Sequence, residues 1–320
     1  MICGALGESH GPILTLVEEN DDLANNGDQH YTQGLRLTYS WGENHTPEWA
    51  NSLANVLPAL GMKIEAPRFG LALGQNIYTP KNIFTPDMVH SDRPYAGWLY
   101  LGAILQRRGS TARATPVLDN FEMDFGIIGP DSLAENTQTW WHALGGWVLP
   151  QGWHHQLKSE PGLVLKFDRQ WKFSPAAPGA GWGLEFIPHA GVSLGNVQTF
   201  GVAGAMARAG WNIPDDFGAQ NIDSLATQAG GCTSKARCFG AYVFAGVDGR
   251  AVARNAFLDG NLWRPSLSVK KEPLVGDLKA GGVLAFKHLE FALSFVERTR
   301  EFIAQTRRDR FGSASISVKF

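Results

Sequence analysis

Long stretches of this chain alternate apolar and polar residues with a strict period of two, and the polar side of the alternation is rich in glycine and charge. Within residues 68–77, Phe69, Leu71, Leu73 and Ile77 point one way, while Arg68, Gly70, Ala72, Gly74 and Asn76 point the other. Leu35, Leu37, Tyr39 and Trp41 oppose Arg36, Thr38 and Ser40, and Leu163, Leu165 and Phe167 oppose Lys166 and Asp168. Leu289, Phe291, Leu293 and Phe295 likewise oppose Glu290, Ala292 and Ser294. A period of two means strands with one greasy face and one wet face. A soluble sandwich would also alternate, but glycine would be sparse inside its strands. Small, polar and charged residues on the second face are what a barrel turned inside out for lipid requires. The chain ends in the same way, with Ser313 to Val318 alternating before a terminal Phe320, an aromatic suited to a lipid–water boundary.

The composition narrows this further. Only 18% of the 320 residues are charged against 44% hydrophobic, which is low for a soluble surface. No apolar run reaches the roughly 18 residues that a transmembrane helix needs. A membrane-spanning sheet must therefore close on itself, since open edges cannot sit in hydrocarbon. Twelve strands are expected, near 12–19, 33–41, 68–78, 95–107, 117–127, 161–172, 181–195, 198–208, 239–250, 276–286, 288–299 and 312–320. They predict an all-β fold, a closed antiparallel transmembrane β-barrel forming a single domain over 1–320. A net charge of −2 gives no reason to expect a nucleic-acid partner. The N-terminus lacks a basic segment followed by a long apolar stretch, so the chain reads as a mature form whose secretion signal is absent. Cys232 and Cys238, in a Gly-rich loop, suit either a small loop disulfide or two free thiols, and Cys3 has no obvious partner.

Two connections read as helical. One spans 47–57 with Pro47 at its first position, and the other spans 132–144, opened by the capping pattern Ser132-x-x-Glu135 and closed by Gly145-Gly146. With both termini on one side, odd-numbered connections share one rim, whose first to sixth connections are 20–32, 79–94, 128–160, 195–198, 251–275 and 300–311. Nearly all chemistry-bearing groups fall there. Glu18 to Asp22, faced by Thr32, offers carboxylate, amide and hydroxyl oxygens suited to a hard cation such as calcium, or forms a solvated acidic loop. Glu135, Gln138 and His142 are spaced to share one helix face, where a neutral imidazole suits general-base work, or is a surface histidine. No G-x-S-x-G elbow and no zinc-type Cys/His spacing is present. The segments 91–98, 257–261 and 299–302 read equally as loop anchors and as substrate contacts.

Taken together, ENDD…YTQG at 19–34, SDRPYAGW at 91–98, GPDSLAENTQTWWHALGG at 129–146, GWHHQLKSEPGL at 152–163, FLDGN at 257–261 and TREF at 299–302 carry a resemblance. The chain resembles the lipid A 3′-O-deacylase family of outer-membrane proteins over nearly its whole length, with the motifs in family order. The resemblance implies a twelve-stranded barrel in a Gram-negative outer membrane and calcium-dependent hydrolysis of the ester-linked 3′-acyloxyacyl chain of lipid A. It implies a site at the outer rim, between barrel wall and loop helix, facing the cell exterior. By motif match, Asn20, Asp21, Thr32 and His142 stand at the family's functional positions, with Asn20, Asp21 and Thr32 as metal ligands. Glu160, Arg93 and Gln138 are further candidates. Expected partners are lipid A or lipopolysaccharide and outer-membrane lipid, and the expected state is a monomer. On this reading His142 deprotonates water, Gln138 or Glu135 orients the imidazole, and Arg93 holds substrate phosphate. The competing functions are a phospholipase-type esterase of the same membrane and a non-enzymatic pore or adhesin. The inward Arg36, Lys166, Asp168 and Glu290 are expected to pair across the lumen, which disfavours an open pore. The connection 209–238 has no reading.

Overall fold

A computed structural model describes residues 11–25, 28–175, 181–219, 221–222 and 239–320. The three cysteines lie outside them. Twelve antiparallel strands form one closed barrel: β1 (Ile13–Asn20), β2 (His30–Ser40), β3 (Met62–Thr79), β4 (Ala96–Thr111), β5 (Pro116–Ile128), β6 (Glu160–Trp171), β7 (Trp182–Gly195), β8 (Gln198–Trp211), β9 (Phe239–Asn255), β10 (Leu274–Phe286), β11 (Leu289–Arg298) and β12 (Asp309–Lys319). Each strand pairs with its neighbour in sequence. Closure comes from β1 on β12, in register from Ile13 opposite Lys319 to Asn20 opposite Gly312. All twelve expected strands are present. No helix among the described residues is long and apolar enough to cross a membrane.

The inverted pattern is realised in the side chains. Leu35, Leu37, Leu71, Leu73, Phe125, Leu163, Val243, Phe291 and Phe295 lie exposed on the outer face, while Arg36, Thr38, Arg68, Glu122, Asp124 and Asp168 are buried inside. The lumen is filled by paired charge. Arg36 donates to Glu122 at 2.9 Å, and Lys166 reaches Glu122 at 2.9 Å and Asp124 at 2.7 Å. His189 bridges Asp168 at 2.9 Å and Asp248 at 2.8 Å, and Lys319 reaches Glu290 at 3.4 Å. The four inward charges expected to pair thus all do.

The even connections are less plain than expected. In the long one after β8, Arg208 holds Asp216 inside the barrel, and Phe217 packs on the inward Leu118 and Ile187. Further along, the backbone N–H of Ile222 donates to Glu19 at 2.9 Å, near the opposite rim. The described part of this connection therefore runs up the lumen.

Four α-helices occupy connections: α1 (Asp22–Asn25), α2 (Glu48–Val56), α3 (Ala134–Gly145) and α4 (Ala256–Asp259). Helix α2 lies where expected, although Pro47 is its N-cap and not its first helical residue. It rests on the outside of the wall, with Ala50 and Ala54 on Phe69 and Leu105. Its C-terminal carbonyls take up Arg107, which also shares Asp119 with Arg169 on that outer face. Helix α3 ends at Gly146 in the left-handed conformation, as expected. Its start differs. Ser132 belongs to a preceding 3-10 turn and gives its hydroxyl to the Gly129 carbonyl at 2.6 Å, so no capping box forms. The local turn captures the hydroxyl before the helix can, a familiar competition for serine.

Replacing Glu122 with leucine strands Arg36 and Lys166 in a dry lumen with Asp124 alone to neutralise both. The barrel should lose about 3–5 kcal/mol. Heat-modifiable mobility on a detergent gel is the readout: the folded band should disappear at a lower temperature than in the wild type, and an unchanged midpoint would show that the pair is dispensable.

Candidate active site

The odd connections converge on one rim, and the motif segments meet there. His30, the first residue of β2, lies 2.6 Å from Asp309 and 3.4 Å from Asp92, with Phe302 edge-on to its ring. Burial works to raise the Asp92 carboxyl, but the hydrogen bond and charge of His30 outweigh it and hold the group below the usual carboxylate range. Arg93 donates to Glu301 at 3.0 Å and lies over the Tyr78 ring. This ionic clasp joins the first, second and sixth connections. Arg93 is buried in this clasp, its Nη1 on Glu301 and its Nε and Nη2 without a hydrogen-bond partner among the described residues.

The histidine of α3 sits against the wall. Ala134, Gln138 and His142 form the buried face, one turn apart. Glu135 is exposed and receives only Gln156, so it does not share that face as expected. Alanine and not glutamate occupies the position that meets the wall, because Ala134 lies against Gly97 of β4, where a side chain on Gly97 would collide with Ala134 and Ser132. Gln138 accepts from the indole N–H of Trp153 at 2.8 Å and so braces the connection. It does not bond the imidazole.

Two other groups orient His142. Its Nδ1 is 2.6 Å from the Val148 carbonyl oxygen, which can only accept, so Nδ1 carries the proton. Its Nε2 is 3.0 Å from Asp28 Oδ2 in the first connection. Burial pushes the Asp28 carboxyl up, and the adjacent His142 only partly opposes it. Asp28 was not singled out in the sequence; its only mark there is a position inside the acidic first connection.

Asp21 lies beside this pair. Gln29, the neighbour of Asp28, donates its backbone N–H to Asp21 Oδ2, while Asp21 Oδ1 is buried with no hydrogen-bond partner. Burial pushes the Asp21 carboxyl up to about 9, helped by the negative charge of Asp28 and Asp22. Thr32 stands close by, its carbonyl accepting from Asp21 N–H at 3.3 Å and its hydroxyl 2.7 Å from that of Thr79. Asn20 turns its Oδ1 to the backbone of Asp22 at 2.7 Å. Asn20, Asp21, Thr32 and His142 are thus gathered in one corner. Glu160 is not with them: both its oxygens accept the Leu262 N–H at 3.0 Å, which ties down the fifth connection.

A hard divalent cation suits this corner in one respect: a buried carboxylate oxygen lacks a partner in a field of further acids. Among the described residues there is no group of three His, Cys, Asp or Glu side chains that could hold a metal. Any further donors must therefore include neutral oxygens, of which Asn20 and Thr32 supply the nearest in sequence.

Comparison with known proteins agrees with this architecture. LpxR from Salmonella typhimurium superposes with a TM-score of 0.77 at 22% identity, covering 96% of this chain and 100% of that one. The β domain of the Bordetella autotransporter BrkA aligns with a TM-score of 0.47 at 11% identity over 97% of this chain and 99% of its own. Curated proteins give no match. The family model described as outer membrane protein LpxR matches residues 3–320. The chain therefore belongs to the outer-membrane LpxR family.

Proposed function

We propose that this protein is a calcium-dependent lipid A deacylase that hydrolyses the ester of the 3′-acyloxyacyl chain, acting as a monomer at the outward-facing rim of the barrel. The observation that carries the reading is the Asp28–His142 pair, clamped between α3 and the wall next to the half-satisfied Asp21. Family membership supports the membrane and the substrate class.

The chemistry follows from the proton count. With Nδ1–H fixed on the Val148 carbonyl, Nε2 is the basic nitrogen. The pair is ready to accept a proton when His142 is neutral and Asp28 is ionised. Two electron-rich groups then face each other, and a water donating to both relieves the repulsion. As that water attacks the ester carbonyl, its proton passes to Nε2; collapse of the tetrahedral intermediate breaks the ester C–O bond, and Nε2–H returns the proton to the leaving sugar oxygen, which releases the fatty acid. Asp28 faces the nitrogen that takes the proton and so stabilises the imidazolium by its charge, while the Val148 carbonyl on Nδ1–H fixes the ring's orientation. Asp21, with Asn20 and Thr32, would hold calcium; when bound, the ion supplies positive charge opposite the oxygen on which negative charge develops.

Incubating the purified protein with lipid A and following the products by mass spectrometry tests the reading. Loss of the 3′-acyloxyacyl chain is expected, whereas release of fatty acid from phospholipid alone would reassign the site as a phospholipase-type esterase. Replacing His142 with alanine should lower kcat by about 10²–10⁴-fold with the barrel still folded. Activity that persists unchanged in excess EGTA would remove calcium from the account.

Asp21 gives a test that needs no turnover. Its carboxyl lies at about 9 in the folded chain against an ordinary 3.8. Without a cation, this group's contribution to stability is present below its ordinary value and is lost as pH rises toward the folded one, because the unfolded chain releases a proton that the buried carboxyl retains. Asp21→Asn should therefore raise the cation-free Tm at about pH 8 and leave it unchanged near pH 4. Added calcium should raise the Tm of the wild type and not of the variant; equal responses would place the ion elsewhere.

A further inference from the structure

Helix α3 lies on the lipid side of the barrel wall. Gln75 and Ile77 of β3 point outward in the same column as the exposed Leu71 and Leu73, and Gly97 of β4 continues the outward column of Leu99 and Leu101. These rim positions are the ones the α3 segment covers. Gln75 donates to the Ser132 carbonyl at 2.7 Å, and Ile77 is buried with Ala134 and Trp153. The helix thus takes over the outer face where the lipid-facing leucines of the same strands leave off.

With Ala134, Gln138 and His142 against the wall, the opposite side of α3 has no protein cover among the described residues. At 100° per residue, Trp140 and Leu144 lie nearly opposite His142. They are 60% and 65% exposed, and Trp141, Trp147, Val148 and Leu149 extend the same apolar surface past the helix end. The start of the segment is mixed: Asp131, Glu135 and Asn136 are exposed there beside Leu133. A surface patch this apolar marks a partner. Its position answers which one, because it is continuous with the face that hydrocarbon already covers. Indole rings also favour the boundary between headgroups and acyl chains.

We infer that the C-terminal end of α3 and the residues after it are seated in the lipid leaflet, making the helix an interfacial anchor that fixes the height of His142 relative to membrane-embedded esters. The second half of that statement rests on the deacylase reading; the anchoring itself does not.

The full chain in phospholipid vesicles provides the test. The fluorescence difference between wild type and a Trp140→Phe, Trp141→Phe variant isolates these two rings from the other tryptophans, and both substitutions lie on exposed sites. In vesicles whose lipids are brominated near the glycerol end of the acyl chains, most of that difference signal should be lost, while aqueous iodide should leave it nearly intact. Quenching by iodide with no effect of bromolipid would put the helix end in water and overturn the inference. Protection from both quenchers would overturn it in favour of cover by a second copy of the chain. No turnover is needed, so this failure would be distinct from a failure to deacylate lipid A.

Discussion

Hydrocarbon cannot solvate a peptide group, and every other feature of this molecule follows from that constraint. The sheet has to close, and it does so by pairing β1 with β12. Closure removes the edges and gives the wall two unlike faces. Leucine and phenylalanine take the outside; charge, hydroxyl and glycine take the inside. The inside then has its own problem, because buried charges need partners. Arg36, Lys166, Glu122 and Asp124 meet that need by pairing across the lumen as well as along the wall, as do Asp168, His189 and Asp248. Asp216 and Phe217 of the connection after β8 are also drawn into the lumen.

The motif segments meet at one rim of this wall. The clasp of His30, Asp92 and Asp309, together with Arg93 and Glu301, draws distant connections into one frame. On that frame the first connection presents Asp21 and Asp28, and the third lays α3 along the outer wall so that His142 meets them. The Asp28–His142 pair is therefore not inside the barrel; it lies under α3 on the outer side of the wall, where the proposed deacylase would meet an ester carried by a membrane lipid.

The strands were legible because lipid imposes a simple two-faced code. Their ends were less so. β3 begins at Met62 although the alternation starts only near Arg68, since Pro67, Glu65 and Lys63 break the apolar pattern while the backbone continues to pair with β4. The helix positions were also readable from Pro47 and Gly145-Gly146, but the cap at Ser132 was misread because a local turn claims its hydroxyl. His142 and Asp21 are singled out by motif and resemblance, and the fold brings their segments together. Asp28 is not singled out, because its meeting with His142 joins two loops far apart in sequence and no local spacing encodes it. For the same reason the burial of Arg93 and Glu160, one paired with Glu301 and the other accepting from the Leu262 backbone, could not be read from the sequence.

The central claim is that Asp28 and His142 act as one proton-accepting unit. The most direct measurement is the kcat of Asp28→Asn on lipid A, in protein shown to be folded by its heat-modifiable mobility. The account predicts a loss of roughly 10²-fold or more with KM little changed, because asparagine keeps the shape but cannot stabilise the imidazolium. A variant that turns over at the wild-type rate would contradict it.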